Sequence, residues 1–240
     1  MRTVPRNVSA RSATRRDRAY WGDILFSRTL PSLFFGLFLT YQLLLVSVGV
    51  TRVSRPGASI DQWFALLNQM LRLAFFTMLV VMYVIRLPAK SADRRPLVVL
   101  VSLVGTFALI ASGFLPASPH GSGSVIVSDF LITFGLGWAL WGLAYLRRSF
   151  SIIPEARKLV TGGPYSLSRN PLYFGEGIAS VGVVLPVFGP WHALLLAIFV
   201  ASQLLRIHWE QAILEEAFGA DYRVYLGQVP MLVPFLPVKP

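Results

Sequence analysis

The chain is 240 residues long and 55% hydrophobic, with only 14% charged residues and a mean hydropathy of +0.61. Soluble domains carry about 25% charge, and a soluble domain of this size has no way to hide so much apolar surface, whereas a bilayer accepts it. The absence of cysteine excludes disulfides, thiolate metal sites and a cysteine nucleophile. The net charge of +11 is spread between apolar runs and over the N-terminus, which speaks for a multi-pass membrane protein and against a nucleic-acid partner.

In chain order, segment 1–28 carries Arg2, Arg6, Arg11, Arg15, Arg16, Arg18 and Arg28. It lacks an apolar core and a small-residue cleavage site, so it is expected to be a basic cytoplasmic tail on anionic headgroups, not a secretory signal. A spanning helix needs about 20 apolar residues. Four runs satisfy that: Leu30–Val50, Trp63–Ile85, Leu97–Leu115 and Val125–Leu146. A fifth, Leu172–Phe188, is shorter and rich in Gly and Val, and a sixth runs from Trp191 to Trp209 after Gly189-Pro190. The short link between the last two predicts a tight antiparallel hairpin. Six spans with both termini cytoplasmic place 19 of the 22 Lys and Arg residues on the inner side, with Arg52 and Arg55 outside and Arg72 within a span. Every span must satisfy its own backbone, so the expected fold is an all-α polytopic helical bundle. The outer loop Pro116–Ser124 reads as a turn without chemistry. The three histidines, His120, His192 and His208, lack metal-ligand spacing, and no metal site is expected.

Span two carries Asn68, Gln69 and Arg72, and Asn68 and Arg72 share a helix face. Intramembrane ionisable residues face a cavity or the bundle interior, so this pair is a candidate substrate-binding lining; interhelical hydrogen bonding is the alternative. Asp129, near the outer end of span four, is expected to be solvated or capping. Glu176 has Arg72 and Arg169 as candidate partners.

The stretch from Arg148 to Gly175 is a polar segment between two spans, dense in Gly, Pro, Arg and Tyr. Gly162-Gly163-Pro164 predicts one sharp turn, and Asn170-Pro171 predicts another that leads into a helix start. Such a bent backbone presents amide N–H groups to an anion, and Tyr165 and Tyr173 offer faces for an adenine ring or a sulfonium. The same residues also suit an ordinary basic loop anchoring two helices. Further on, Arg206 and Glu210 lie four apart on one helix face, continued by Leu214 and Phe218. A simple i,i+4 ion pair competes there with separate ligand-holding roles. His208 points elsewhere by helical phase, and Gly219 is expected to end the helix.

These residues together resemble the isoprenylcysteine carboxyl methyltransferase and phospholipid methyltransferase group of membrane enzymes. The resemblance rests on Arg148-Ser149-Phe150-Ser151 followed by Leu159-Val160-Thr161-Gly162-Gly163-Pro164-Tyr165. It continues in Arg169-Asn170-Pro171-Leu172-Tyr173 with Gly175, and in Arg206, Glu210, Leu214, Phe218-Gly219, Tyr222 and Tyr225, ending at Val229-Pro230 and Pro234-Phe235. It covers about residues 147–236 and implies three parts: a basic tail (1–28), N-terminal transmembrane helices (29–146) and a cofactor-binding region (147–240). It further implies a methyltransferase with a cytoplasmic-face pocket for S-adenosyl-L-methionine and a lipophilic or lipid-linked methyl acceptor, a carboxylate by preference. By the same resemblance, Lys158, Leu159, Val160, Tyr165, Arg169, Asn170, Pro171, Leu172, Tyr173 and Glu210 bind the cofactor. Arg206 and Glu210 are the catalytic pair, with Arg206 nearer the acceptor. Two positions depart from the pattern: Asn170 stands where isoprenylcysteine enzymes carry His, and Gln211 replaces a frequent second Glu. Membrane sterol reductases, which use NADPH, resemble the chain over Ser168–Glu176 and supply a rival reading. A non-catalytic membrane protein is a third.

Overall fold

The computed structural model describes residues 28–87, 89–116 and 122–237. The basic tail up to residue 27 and most of the outer loop after Pro116 lie outside the described residues. Six helices follow in order: α1 (Leu30–Val53), α2 (Ile60–Ile85), α3 (Pro96–Phe107), α4 (Ser122–Leu146), α5 (Pro171–Val184) and α6 (Pro190–Gln228). α3 continues as a 3-10 helix over Ala108–Phe114, and α5 over Leu185–Val187. Five of the helices are long and apolar enough to cross a membrane, and α5 with its 3-10 extension is the shorter sixth.

Local sequence sets the helix starts. Ser59 caps α2: its hydroxyl accepts from the Gln62 backbone N–H while the Gln62 side chain accepts from the Ser59 N–H. α3, α5 and α6 each begin at a proline, where the missing N–H costs nothing.

Polarity is inverted relative to a soluble protein. Leu37 is 72% exposed and Leu100 58%, while Asn68, Ser102 and His192 are fully buried. That distribution fits a molecule solvated by hydrocarbon, whose interior keeps the polar groups.

The closest helix pair is α4 and α5. A Cβ at Gly135 would lie 2.5 Å from the Ala179 backbone nitrogen, and one at Gly175 would lie 2.6 Å from the Ala139 nitrogen. The backbones touch through Gly135, Ala139, Gly175 and Ala179, the small-residue packing that lets membrane helices associate. This accounts for the glycines of the fifth apolar run. α5 therefore runs along α4, while α6 leans on α3 and touches α5 much less, so the last two helices are not the close hairpin expected from their short link.

α6 is also longer than expected. Gly219 takes φ +52°, open to glycine at no steric cost, and helix resumes on its far side to Gln228. It breaks α6 without ending it and brings Tyr222 and Tyr225 back over the segment that links α4 and α5. A two-stranded clip completes the fold: β1 (Ser91–Ala92) pairs antiparallel with β2 (Glu155–Ala156), tying the α2–α3 link to the segment after α4.

Candidate active site

The segment between α4 and α5 is bent as its prolines and glycines require. A 3-10 turn at Gly163–Ser166 follows Gly162, and Gly163 has φ +60°. Three consecutive residues then fasten the segment to the chain beyond α6. The Ser168 hydroxyl donates to the Leu232 carbonyl at 2.7 Å, the Arg169 backbone N–H to the Pro230 carbonyl at 2.9 Å, and the Asn170 side-chain amide to the Met231 carbonyl at 2.7 Å. Tyr225 donates its hydroxyl to the Tyr165 carbonyl at 2.6 Å. Asn170 thus acts here as a hydrogen-bond donor to backbone, a task that a histidine ring N–H also performs.

These ties border a partly open cleft at the end of the bundle. Lys158, Leu159, Val160, Tyr165, Arg169, Asn170, Leu172, Tyr173, Arg206 and Glu210 all line it. Tyr165 and Glu210, 45 positions apart in sequence, share this one space. Pro171 does not line it; it is buried beneath as the first residue of α5.

The charged groups are individually anchored. Glu210 accepts a short hydrogen bond from the Tyr173 hydroxyl. Arg206 is 4% exposed; its Nη1 donates to Gln203 Oε1 and its Nη2 to the Ile152 carbonyl, both at 2.9 Å, and its guanidinium lies 5.0 Å from the centre of the Tyr173 ring. The expected alternative, a direct Arg206–Glu210 ion pair, is not formed; Tyr173 stands with both. The Nε–H groups of Arg157, Arg169 and Arg206 are buried without an acceptor. Burial pushes the Tyr165 phenol well above its ordinary range, and the nearby Glu210 charge adds to this, so the ring stays neutral.

Other contributors were not singled out from sequence. Glu155 accepts from both Arg86 and Arg157, and all three side chains are at most 5% exposed. Burial pushes the Arg157 guanidinium down, and the Glu155 charge opposes that. Tyr83 accepts from the Ile152 backbone N–H at 3.1 Å and so fixes the carbonyl strand that meets Arg206. Glu155 and Arg86 are 69 positions apart, and no local pattern announces such a pair. Tyr222 and Tyr225, part of the sequence pattern above, are buried beside the cleft beyond the Gly219 break.

Asn68 and Arg72 are not brought to the cleft. Asn68 lies 18 residues before Arg86, roughly 27 Å along α2. Its amide donates to Asp129 Oδ1 at 2.9 Å and its carbonyl accepts from the Thr133 hydroxyl at 2.7 Å. Asp129 is therefore an interhelical partner while it remains partly exposed. Glu176 pairs with neither Arg72 nor Arg169; it accepts from Gln203 Nε2 at 2.8 Å. His208 is exposed, as its helical phase implied, and the described residues contain no metal-binding cluster.

A second cavity of about 960 Å³ adjoins the cleft. Its wall is largely aromatic and aliphatic, with Phe35, Phe38, Phe75, Phe76, Phe107 and Phe199. Phe150, Leu172 and Arg206 line both spaces, so Arg206 stands where the polar and apolar chambers meet.

Known proteins resemble the same part of the chain. The family model described as phospholipid methyltransferase matches residues 124–221. Protein-S-isoprenylcysteine O-methyltransferase B of Arabidopsis thaliana is 34% identical over 115 residues, 48% of this chain and 55% of that protein. The Saccharomyces cerevisiae protein-S-isoprenylcysteine O-methyltransferase is 36% identical over 95 residues, 37% of this chain and 39% of that protein. The chain thus spans about half the length, or less, of the curated relatives it matches. The structure of a eukaryotic intramembrane Ras methyltransferase, isoprenylcysteine carboxyl methyltransferase, aligns with a TM-score of 0.40 and 18% identity, over 90% of this chain and 97% of that one. Residues 124–221, from α4 past the break in α6, are the part of this membrane protein that matches the phospholipid methyltransferase model.

Proposed function

We propose that this protein is an S-adenosyl-L-methionine-dependent membrane methyltransferase that methylates a lipid-linked carboxylate of the prenylated-cysteine kind. The observation that carries the reading is the junction at Arg206: a cleft lined by charged and tyrosine side chains and a phenylalanine-lined cavity share this one buried cation.

The residues present fit the cofactor. Its ammonium suits the Glu210 carboxylate, its carboxylate suits Arg169 with the buried Nε–H that lacks an acceptor, and its adenosine suits the faces of Tyr165 and Tyr173. When bound, the cofactor supplies an activated methyl group. The chain's own task is alignment: Arg206 holds the acceptor carboxylate while its apolar body occupies the phenylalanine-lined cavity. A carboxylate oxygen carries the lone pair it needs, so no general base is required, and alignment alone is worth an effective molarity of about 10⁵ M or more. The basic residues at the cleft end support a cytoplasmic orientation of this face and of both termini by the positive-inside rule. The Tyr173-Phe174-Gly175-Glu176 run shared with sterol reductases has packing duties here: Gly175 meets α4, and Glu176 holds Gln203.

Detergent-solubilised protein should bind S-adenosyl-L-methionine in calorimetry and transfer its labelled methyl to N-acetyl-S-farnesylcysteine. Binding of NADPH in its place would overturn the assignment.

A further inference from the structure

We propose that Glu176, Gln203 and Gly105 form a positioning relay that aims the Arg206 guanidinium at an anionic acceptor, a role that rests on the methyltransferase reading above. An arginine only donates hydrogen bonds. Gln203 must therefore turn its carbonyl towards Arg206, and it does so at 2.9 Å. Its amide NH₂ then has to face an acceptor, and Glu176 Oε2 takes it at 2.8 Å. Glu176 on α5 thus fixes which way round the Gln203 amide sits on α6, and that orientation fixes one prong of Arg206. The Ile152 carbonyl fixes the other prong.

Gly105 on α3 makes room for this arrangement. A Cβ there would lie 3.1 Å from Gln203 Oε1, 3.0 Å from Ser202 Cβ and 3.6 Å from Arg206 Cδ. Any larger residue presses on the relay atom that receives Arg206. Glu176 and Gly105 line the apolar cavity and not the polar cleft. They act from the acceptor's side and leave the cofactor's surroundings untouched. Glu176 works through Gln203 as a hydrogen-bond acceptor; its charge performs no proton transfer, because a carboxylate acceptor has no proton to lose.

The test compares wild type with Glu176→Leu, Glu176→Gln and Gly105→Ala in detergent. Calorimetry with S-adenosyl-L-methionine and steady-state kinetics with N-acetyl-S-farnesylcysteine are the two readouts. Glu176→Leu is expected to raise the acceptor KM on the order of tenfold with kcat and cofactor Kd little changed, the mark of a lost ground-state and transition-state contact. Gly105→Ala should raise the same KM by about threefold or more, within the range of one weakened hydrogen bond. Glu176→Gln should remain within about twofold of wild type, since its carbonyl still accepts from Gln203. Loss in Glu176→Gln equal to that in Glu176→Leu would overturn the relay, because charge would then be the active property. An unmoved KM in Gly105→Ala and in a cofactor-binding Glu176→Leu would also overturn it. If Glu176→Leu fails to fold and binds no cofactor, Gly105→Ala and Glu176→Gln decide the matter by the same criteria. Wild-type protein that binds no S-adenosyl-L-methionine sinks the methyltransferase reading itself, an outcome distinct from active enzyme with an unmoved KM.

Discussion

Two polar clusters lie inside this membrane protein, and they differ in what adjoins them. Away from the cleft, Asn68 of α2 is held between Asp129 and Thr133 of α4, with both ends of its amide used. Neither Asn68 nor Arg72 lines the cleft or the apolar cavity. At the cleft end, Glu176, Gln203, Arg206, Tyr173 and Glu210 form a chain of contacts that opens onto both chambers. The sequence presents both clusters as polar residues at helical spacing in apolar runs. Adjoining space separates a glue from a site: hydrogen bonds closed among helices hold the bundle, while those ending at a cavity leave directed groups for a ligand.

Substitutions can break or sharpen this contrast. The largest effect is expected at Glu155. Glu155→Ala leaves Arg86 and Arg157 buried without their shared carboxylate, a loss of about 3–5 kcal/mol; a thermal melt in detergent should show a large drop, and cofactor binding should fall with it. Glu210→Ala comes next. It should weaken S-adenosyl-L-methionine binding by about 50-fold, the worth of one charge-assisted contact, and cost about 1–2 kcal/mol of stability through the stranded Tyr173 hydroxyl; unchanged affinity in calorimetry would remove Glu210 from the cofactor site. Asp129→Ala tests the other cluster. It strands the Asn68 amide and should cost about 1–2 kcal/mol of stability while the cofactor Kd stays put; a changed Kd would mean that the two clusters are coupled. Arg223→Ala removes a pair with Glu215 whose partners are 70% and 45% exposed, and should shift stability by less than about 0.5 kcal/mol.

Much of this was legible before any coordinates. The apolar runs required helices, and the Gly-Pro and Asn-Pro turns correctly bent the segment that carries Tyr165 and Arg169. Tyr165 and Glu210 were expected around one pocket, and they line one. What escaped were long-range partners without a local signature. Ser168, Arg169 and Asn170 spend hydrogen bonds on backbone carbonyls, which every residue possesses and which no side-chain pattern marks. Glu155 looks like any loop acid until β2 sets it between two arginines. Gly219 reads as a helix stop because glycine favours that place, yet the same positive φ also serves a bend within a continuing helix. Asn68 and Arg72 were read by face alone, and a face does not tell whether it looks at a neighbour or a void.

The carbonyls that secure Ser168 and Asn170 come more than sixty residues later in the chain. A ribosome making this protein has therefore delivered α5 and all of α6 before the cleft has its final fastenings. α4 and α5, whose glycines meet, are both made before that point, and the fastening of the cleft waits for residues 230–232.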